Sequence, residues 1–246
     1  MPGGAALQLT VFGANGQADH VELPIRAVFN FGYAARDQAG LRAHLAETAK
    51  VGLPVPQTVP SLYPIPPDRV TTAATIVVSG DRTYAEVEYA LIRADGRWLI
   101  TVASDHTDVD VERQSLPRGK SIAPNVLAPL AWDLDDVRDH LDQLELVCDS
   151  PGAATSPLQH DSLKALLSPD DLIATLERRS GAAAGPGTVV LSGTIGGELP
   201  AGASEWEITL DDPIRGRRIE HSYSVRSLPD ELVEREPEPE LSRQAA

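Results

Sequence analysis

The sequence predicts an α+β domain, rich in strand with a few short helices, and three observations carry that expectation. Short runs of alternating apolar and polar residues recur, bounded by Asn-Gly, Asp-Gly and proline-containing turns. Only a few stretches keep a helical period, and they interrupt the strands rather than alternate with them, which argues against a parallel α/β sheet. At 246 residues the chain can bury one sizeable core. One domain is expected over residues 1–229, with an N-terminal segment (1–70) leading into a β-rich core (71–229).

The elements follow in order. Leu7 to Phe12 and His20 to Pro24 flank a turn containing Asn15-Gly16 and read as a hairpin. A helix is expected from Gln38 to Lys50, with Asp37 as N-cap because a carboxylate there can accept from first-turn N–H groups. Leu53 to Pro67 carries Pro54, Pro56, Pro60, Pro64, Pro66 and Pro67, which rules out helix and central strand and leaves an extended loop. Val70 to Ser79 reads as a strand, and Asp95-Gly96 joins two more. A polar helix near Asp135 to Leu141 and another from Pro169 to Arg179 come next, then strands at Thr188–Leu191, Glu205–Leu210 and Ile219–Val225. After Pro229 the composition turns to Asp, Glu, Pro and Arg, so residues 230–246 are expected to form a disordered tail.

Bulk properties narrow the function. A net charge of −15 argues against a nucleic-acid partner or an anionic membrane surface, both of which need clustered Lys and Arg. Cys148 is the single cysteine and cannot form an internal disulfide; with no leader or long apolar run, a cytoplasmic protein is expected. On Leu144 to Cys148 that thiol reads as a small buried apolar group.

The most informative residues are acidic. Glu86 and Glu88 lie on Tyr84-Ala85-Glu86-Val87-Glu88-Tyr89-Ala90-Leu91-Ile92, which reads as a half-buried strand with both acids on one face. If Asp95-Gly96 is a two-residue hairpin turn, Ala94 pairs with Arg97, and counting back sets Glu86 directly opposite Asp105. Glu88 is then their diagonal neighbour. Like charges at paired positions destabilise a sheet unless something neutralises them, and a hard cation such as Mg²⁺, Mn²⁺ or Ca²⁺ prefers oxygen ligands. The alternative is an ordinary charged face turned to water. His106 should point away from Asp105 and make a structural hydrogen bond. Asp108, Asp110 and Glu112 lack the glycine and distal glutamate of a calcium loop.

Several stretches spanning residues 30 to 225 resemble, in order, the fumarylacetoacetate hydrolase superfamily. They are His44-Leu45-Ala46-Glu47, matching His-x-x-Glu on an early helix; Glu86-Val87-Glu88, matching Glu-x-Glu on a strand; and Ser104 to Glu112, aligned with Asn-Asp-x-Ser-Ala-Arg-Asp-x-Gln. Lys120 precedes Ile122-Ala123-Pro124, and Gly193-Thr194 ends a strand before Gly196-Gly197. The Asp105-His106-Thr107-Asp108 variant looks like a branch whose members are mostly described as domains of unknown function. The resemblance implies a mixed β-sandwich roll, usually a homodimer, that binds Mg²⁺ or Mn²⁺ and acts on 2-oxo or β-diketo acids. By position it implies Glu86, Glu88 and Asp105 as metal ligands.

That chemistry assigns further roles. The expected reaction is hydrolysis of a carbon–carbon bond in an acylpyruvate-like acid through an enolate; a hydratase, dehydratase or decarboxylase, or a non-catalytic binder of a small carboxylate, is the alternative. His44 and Glu47, spaced i, i+3, can meet on one helix face to activate water, or simply face solvent. Lys120 would neutralise the substrate carboxylate or the enolate, or else be a surface lysine after a Pro-Arg-Gly turn. Thr194 and Gly193 would bind the substrate carboxylate, or merely shape a loop. Val109 stands where the superfamily has arginine and Glu112 where it has glutamine; losing the arginine removes a bidentate clamp, so the substrate is expected to be smaller, less anionic, or held by another cation such as Arg36 or Arg118.

Overall fold

A computed structural model describes residues 6–13, 16–50 and 55–229, leaving aside the side chains of His44, Glu47 and Thr48. Asn15 of the first turn, Leu53 and Pro54 of the expected loop, and the 230–246 tail lie outside the described residues.

The N-terminal hairpin forms as expected. Strands β1 (Ala6–Phe12) and β2 (Ala18–Pro24) pair antiparallel from Ala6↔Pro24 to Phe12↔Ala18. β3 (Ala27–Gly32) follows, then helix α1 (Gln38–Lys50), where the Asp37 carboxylate accepts from the Gly40 N–H at 2.9 Å. The expected proline loop is only partly a loop. Ser61–Ile65 forms β4 against β3, and it carries Pro64 because it is an edge strand that need not donate outward. The expected strand from Val70 to Ser79 is really two: β5 (Val70–Thr71) and β6 (Thr75–Ser79) join different sheets.

After β7 (Thr83–Tyr84) comes the central hairpin, β8 (Val87–Ala94) and β9 (Arg97–Asp105). Its register is Ala94↔Arg97 through Val87↔Ser104, and the Asp105 N–H continues it by donating to the Glu86 carbonyl at 3.0 Å. Next come β10 (Thr107–Asp108), α2 (Val109–Gln114), α3 (Leu116–Ile122), β11 (Asn125–Leu127), β12 (Leu130–Asp133), β13 (Glu145–Asp149) and β14 (Gln159–Ser162). The polar helix expected near Asp135 to Leu141 is two 3₁₀ segments, Leu134–Asp136 and Arg138–Gln143. Helix α4 (Pro169–Ser180) is bounded by a Ser168/Asp171 capping box and by Gly181 in the left-handed region. β15 (Thr188–Leu191), β16 (Glu205–Asp212) and β17 (Arg217–Leu228) complete the described chain.

Ten strands make one sheet, with the path β2-β1-β12-β9-β8-β15-β3-β4 and β11 and β5 attached beside β9. Five make a second, ordered β14-β13-β16-β17-β6. The large sheet buries both faces. Val87, Tyr89 and Leu91 of β8 pack with Trp206, Ile208 and Tyr223 of the smaller sheet and Leu172 and Leu176 of α4. Ala90, Ile92 and Ala94 face the other way, onto Leu7, Leu9, Val28, Leu99, Leu127 and Leu191. That second core draws on strands of the ten-stranded sheet, so the sheet fills its own concave side by rolling over. Each fully buried Leu, Ile or Val there contributes roughly 1.5–3 kcal/mol. The expectation of a half-buried β8 is therefore corrected: it alternates between two cores, and its acids lie inside the roll rather than in water. The architecture is the β-rich fumarylacetoacetase-like roll with a few short helices.

Candidate metal centre

Side-chain alternation on β8 and β9 decides where the acids go. Ala85 and Val87 point to the inter-sheet core, so Glu86 and Glu88 point into the roll, as Asp105 does two residues beyond Ala103. One carboxylate oxygen from each of Glu86, Glu88 and Asp105 lies within 4.8 Å of the other two. Glu88 and Asp105 are fully buried and Glu86 nearly so.

Lys120 meets them from α3. Gly119 lets this helix sit against α2, since a β-carbon there would lie 2.8 Å from the Glu112 α-carbon. The buried Nζ stands 2.7 Å from Glu86 Oε2 and 2.5 Å from Asp105 Oδ2. It is not a surface lysine. Burial works against its ammonium, but Asp105, Glu86, Glu88 and Glu112 outweigh that and hold its pKa well above the usual lysine value.

Charge does not balance around this one ammonium. Burial, then the neighbouring Asp105 and Glu86 charges, push the Glu88 carboxyl well above the usual range. Asp105 is raised to about 6, chiefly by burial, despite its contact with Lys120. Glu112 is raised by burial and by Glu86, while accepting a 3.1 Å hydrogen bond from the Tyr84 hydroxyl. Glu88 Oε1 and Asp105 Oδ1 have no hydrogen-bond partner, while Asp105 Oδ2 meets only the Lys120 ammonium. Buried anionic oxygens without donors are costly, and hard, converging oxygens are what a divalent cation takes. The three side chains fit such an ion.

A pH dependence follows. Binding the ion requires Asp105 and Glu88 to release protons, so Mg²⁺ affinity should fall at least about tenfold per pH unit below about 6 and level off above the carboxyl values. In the metal-free protein these folded-state values exceed the unfolded ones. The pair therefore favours folding most at low pH, and its contribution declines as pH rises through about 6. Calorimetric titration from pH 5 to 8 checks this; an affinity flat across that range would put the ion elsewhere.

The other expected residues are distributed unevenly. Gly193, at φ +82°, turns its N–H onto Glu88 Oε2 at 2.9 Å, so its backbone orients the Glu88 carboxylate. The Thr194 hydroxyl donates to the Val87 carbonyl at 2.9 Å and accepts from Gln159 Nε2 at 3.0 Å. His44 and Glu47 are on α1 as expected, with their side chains outside the described residues. Arg36 is corrected as a stand-in for the missing arginine: it forms a bidentate pair with Asp142 at 2.7 and 2.8 Å. Arg118 is exposed on α3.

His106 sits between the Tyr223 hydroxyl (3.1 Å) and Thr83 Oγ1 (2.9 Å), and burial lowers its pKa to about 4, so it is a neutral structural group. Asp108 caps α2 through Asp110 and Val111 N–H groups. Burial pushes the Cys148 thiol up to about 12, consistent with an inert apolar role. A cleft lined by Asp19, Arg97 and Asp133 lies at the turn end of the β8–β9 hairpin, away from the acids. No helix among the described residues is long and apolar enough to cross a membrane.

Sequence reasoning missed one residue here. Asn125 opens β11 directly opposite Asp105, fully buried, with neither side-chain amide atom partnered. The available signal was an amide opening the apolar run Val126-Leu127-Ala128, where β-strands disfavour asparagine.

Residues 31–223 match the family model described as "Protein of unknown function (DUF2848)". Among curated proteins, none matches the chain by sequence. Among solved structures, Cg1458 superposes with a TM-score of 0.59 at 15% identity, covering 86% of this chain and 85% of that one. A 2-keto-3-deoxy-D-arabinonate dehydratase complexed with magnesium and 2,5-dioxopentanoate gives 0.57 at 15% identity, covering 86% and 77%. A 4-oxalocrotonate decarboxylase from Pseudomonas putida G7, complexed with magnesium and adipate, gives 0.54 at 16%, covering 81% and 77%. At these identities the likeness is one of fold.

Proposed function

With the chain belonging to the family described as "Protein of unknown function (DUF2848)", we propose that it is a divalent-metal-dependent enzyme acting on a small 2-oxo carboxylic acid. The observation that carries this reading is the convergence of Glu86, Glu88 and Asp105, with unpartnered buried oxygens, beside Lys120. Similar folds holding magnesium with carboxylic or dioxo ligands support it.

In this reading Glu86, Glu88 and Asp105 hold the ion, and the Gly193 N–H keeps the Glu88 carboxylate aimed at it. A bound Mg²⁺ or Mn²⁺ supplies Lewis acidity to the 2-oxo and carboxylate oxygens of the substrate. Lys120 offers positive charge to the enolate oxygen as a bond at the neighbouring carbon breaks. The β8, β9 and β15 strands bury the acids and exclude bulk water, which strengthens each of these interactions. A homodimer, implied by the sequence resemblance, is part of the proposal.

Two readings differ in the bond broken. Hydrolysis of an acylpyruvate needs water activated by His44 with Glu47 orienting it. Loss of water or CO₂ does not, and the dehydratase and decarboxylase among the similar structures favour this second reading. Turnover assays on 2-oxo and β-diketo acids with Mg²⁺ separate them by product. His44→Ala should leave dehydration or decarboxylation within about tenfold, whereas a hydrolase relying on that base should lose roughly 10²–10⁴-fold. Mg²⁺-dependent oxalate binding with no turnover on any candidate would make the protein a binder instead.

A further inference from the structure

Asn125 carries a chemical demand that the metal centre does not meet. It pairs antiparallel with Asp105, and because Val126 points to the inter-sheet core while Leu127 points into the roll, the Asn125 side chain also points into the roll. Glu86, immediately before β8, thus stands in one row with Asp105 of β9 and Asn125 of β11. Directly paired β-carbons are about 4.5–5.5 Å apart, so the amide borders Asp105. It is fully buried, and both Nδ2 and Oδ1 lack a partner.

An apolar residue like its neighbours Val126 and Leu127 would avoid that penalty. The amide presents donors at Nδ2 and an acceptor at Oδ1. A carboxylate or ketone oxygen would satisfy only Nδ2 and leave Oδ1 unpaired in a surrounding already crowded with anionic oxygen. A hydroxyl both accepts and donates, and satisfies the two atoms together.

We propose that Asn125 is a specificity-determining residue that binds a hydroxyl on the carbon chain of the substrate, so that the ligand class is a hydroxylated 2-oxo acid. This rests on the 2-oxo acid reading of the metal centre. The amide lies about one strand spacing, ~4.8 Å, beyond the Asp105 ligand. That is about the reach of a hydroxyl on the second carbon beyond the chelating ketone, as in a 4-hydroxy-2-oxo acid. A site built to hydrogen-bond a hydroxyl discriminates strongly against the analogue lacking it, because the polar groups of the site are then left unpaired.

The test uses the full chain with saturating Mg²⁺, and compares oxalate, 2-oxopentanoate and racemic 4-hydroxy-2-oxopentanoate by calorimetry or by displacement of oxalate. The wild type should bind the hydroxy acid at least about tenfold more tightly than 2-oxopentanoate. Asn125→Leu should retain its melting temperature and hold Mg²⁺ and oxalate within about threefold, while preference for the hydroxy acid falls below about twofold. A wild type with no preference overturns the proposal. So does an Asn125→Leu or Asn125→Ala variant that loses Mg²⁺ or oxalate as severely as the hydroxy acid, which would make Asn125 an ion ligand or a structural residue. Failure of the wild type to bind oxalate with Mg²⁺ refutes the 2-oxo acid reading itself, and is distinguished from the other outcomes by that control.

Discussion

Lys120→Met is expected to destabilise the metal-free protein by about 3–5 kcal/mol, the usual cost of removing one partner from a buried ion pair. Its ammonium touches Glu86 and Asp105 while almost wholly buried, and Glu88 and Glu112 add to the negative potential it offsets. Methionine fills much of the same space, so the loss reads charge rather than volume. Without the lysine the Asp105 and Glu88 carboxyls bind protons more readily, so the destabilisation should be larger at pH 8 than at pH 6. Mg²⁺ should restore most of the stability, because the ion replaces the missing positive charge, and should bind at least as tightly as in the wild type. Turnover should nonetheless fall roughly 10²–10³-fold, the range seen when one group stabilising transition-state charge is removed. Thermal unfolding with and without Mg²⁺ checks the first part. A variant that is equally unstable with and without the ion would mean that Lys120 does not share the ion's ligands.

Glu88→Gln should behave oppositely. The amide keeps the shape of the carboxylate and retains an oxygen for the Gly193 N–H, which Glu88 Oε2 now accepts at 2.9 Å. It removes a charge that burial already disfavours. The metal-free variant should therefore melt no lower than the wild type. Its Mg²⁺ affinity should fall more than about 100-fold, since losing even an outer-shell partner of a metal ligand costs 10–100-fold. Stability kept with binding lost is the signature of a residue maintained for function. Glu88→Gln with unchanged Mg²⁺ affinity would remove it from the ligand set.

The contrast between the central hairpin and its surroundings shows what the sequence could reveal. The Asp95-Gly96 turn and a period of two are local, and they determine the Glu86/Asp105 juxtaposition, which the structure reproduces in register. Whether the acids face water is not local. It depends on the ten-stranded sheet rolling over and on a second sheet covering its back, both set by contacts far apart in sequence. Alternating acids on β8 therefore read as a half-buried strand, although both faces are covered. β3, β11, β12, β13 and β14 were not anticipated, being short and lacking a clear period or bounding turn. β4 was obscured by Pro64, which only an edge position tolerates.

The same division applies to the site. Glu86, Glu88 and Asp105 were legible because one hairpin carries all three. The family resemblance supplied Lys120, whose burial depends on α2 and α3 packing through Gly119 and Glu112. Asn125 offered only the local oddity of an amide opening an apolar run, because its importance comes from pairing with Asp105 across twenty residues. Glu112 reads in sequence as a departure from a common glutamine; folded, it is a fourth carboxyl near Lys120, held by Tyr84.

Crystals soaked in Mn²⁺ with oxalate, examined for anomalous scattering, test the central claim most directly. One Mn²⁺ is expected about 2.0–2.3 Å from an oxygen of each of Glu86, Glu88 and Asp105, with oxalate on the open coordination positions and Lys120 drawn to the oxalate. Saturating Mn²⁺ that leaves the Lys120 ammonium between Glu86 and Asp105, with no anomalous peak among the three carboxylates, would contradict it.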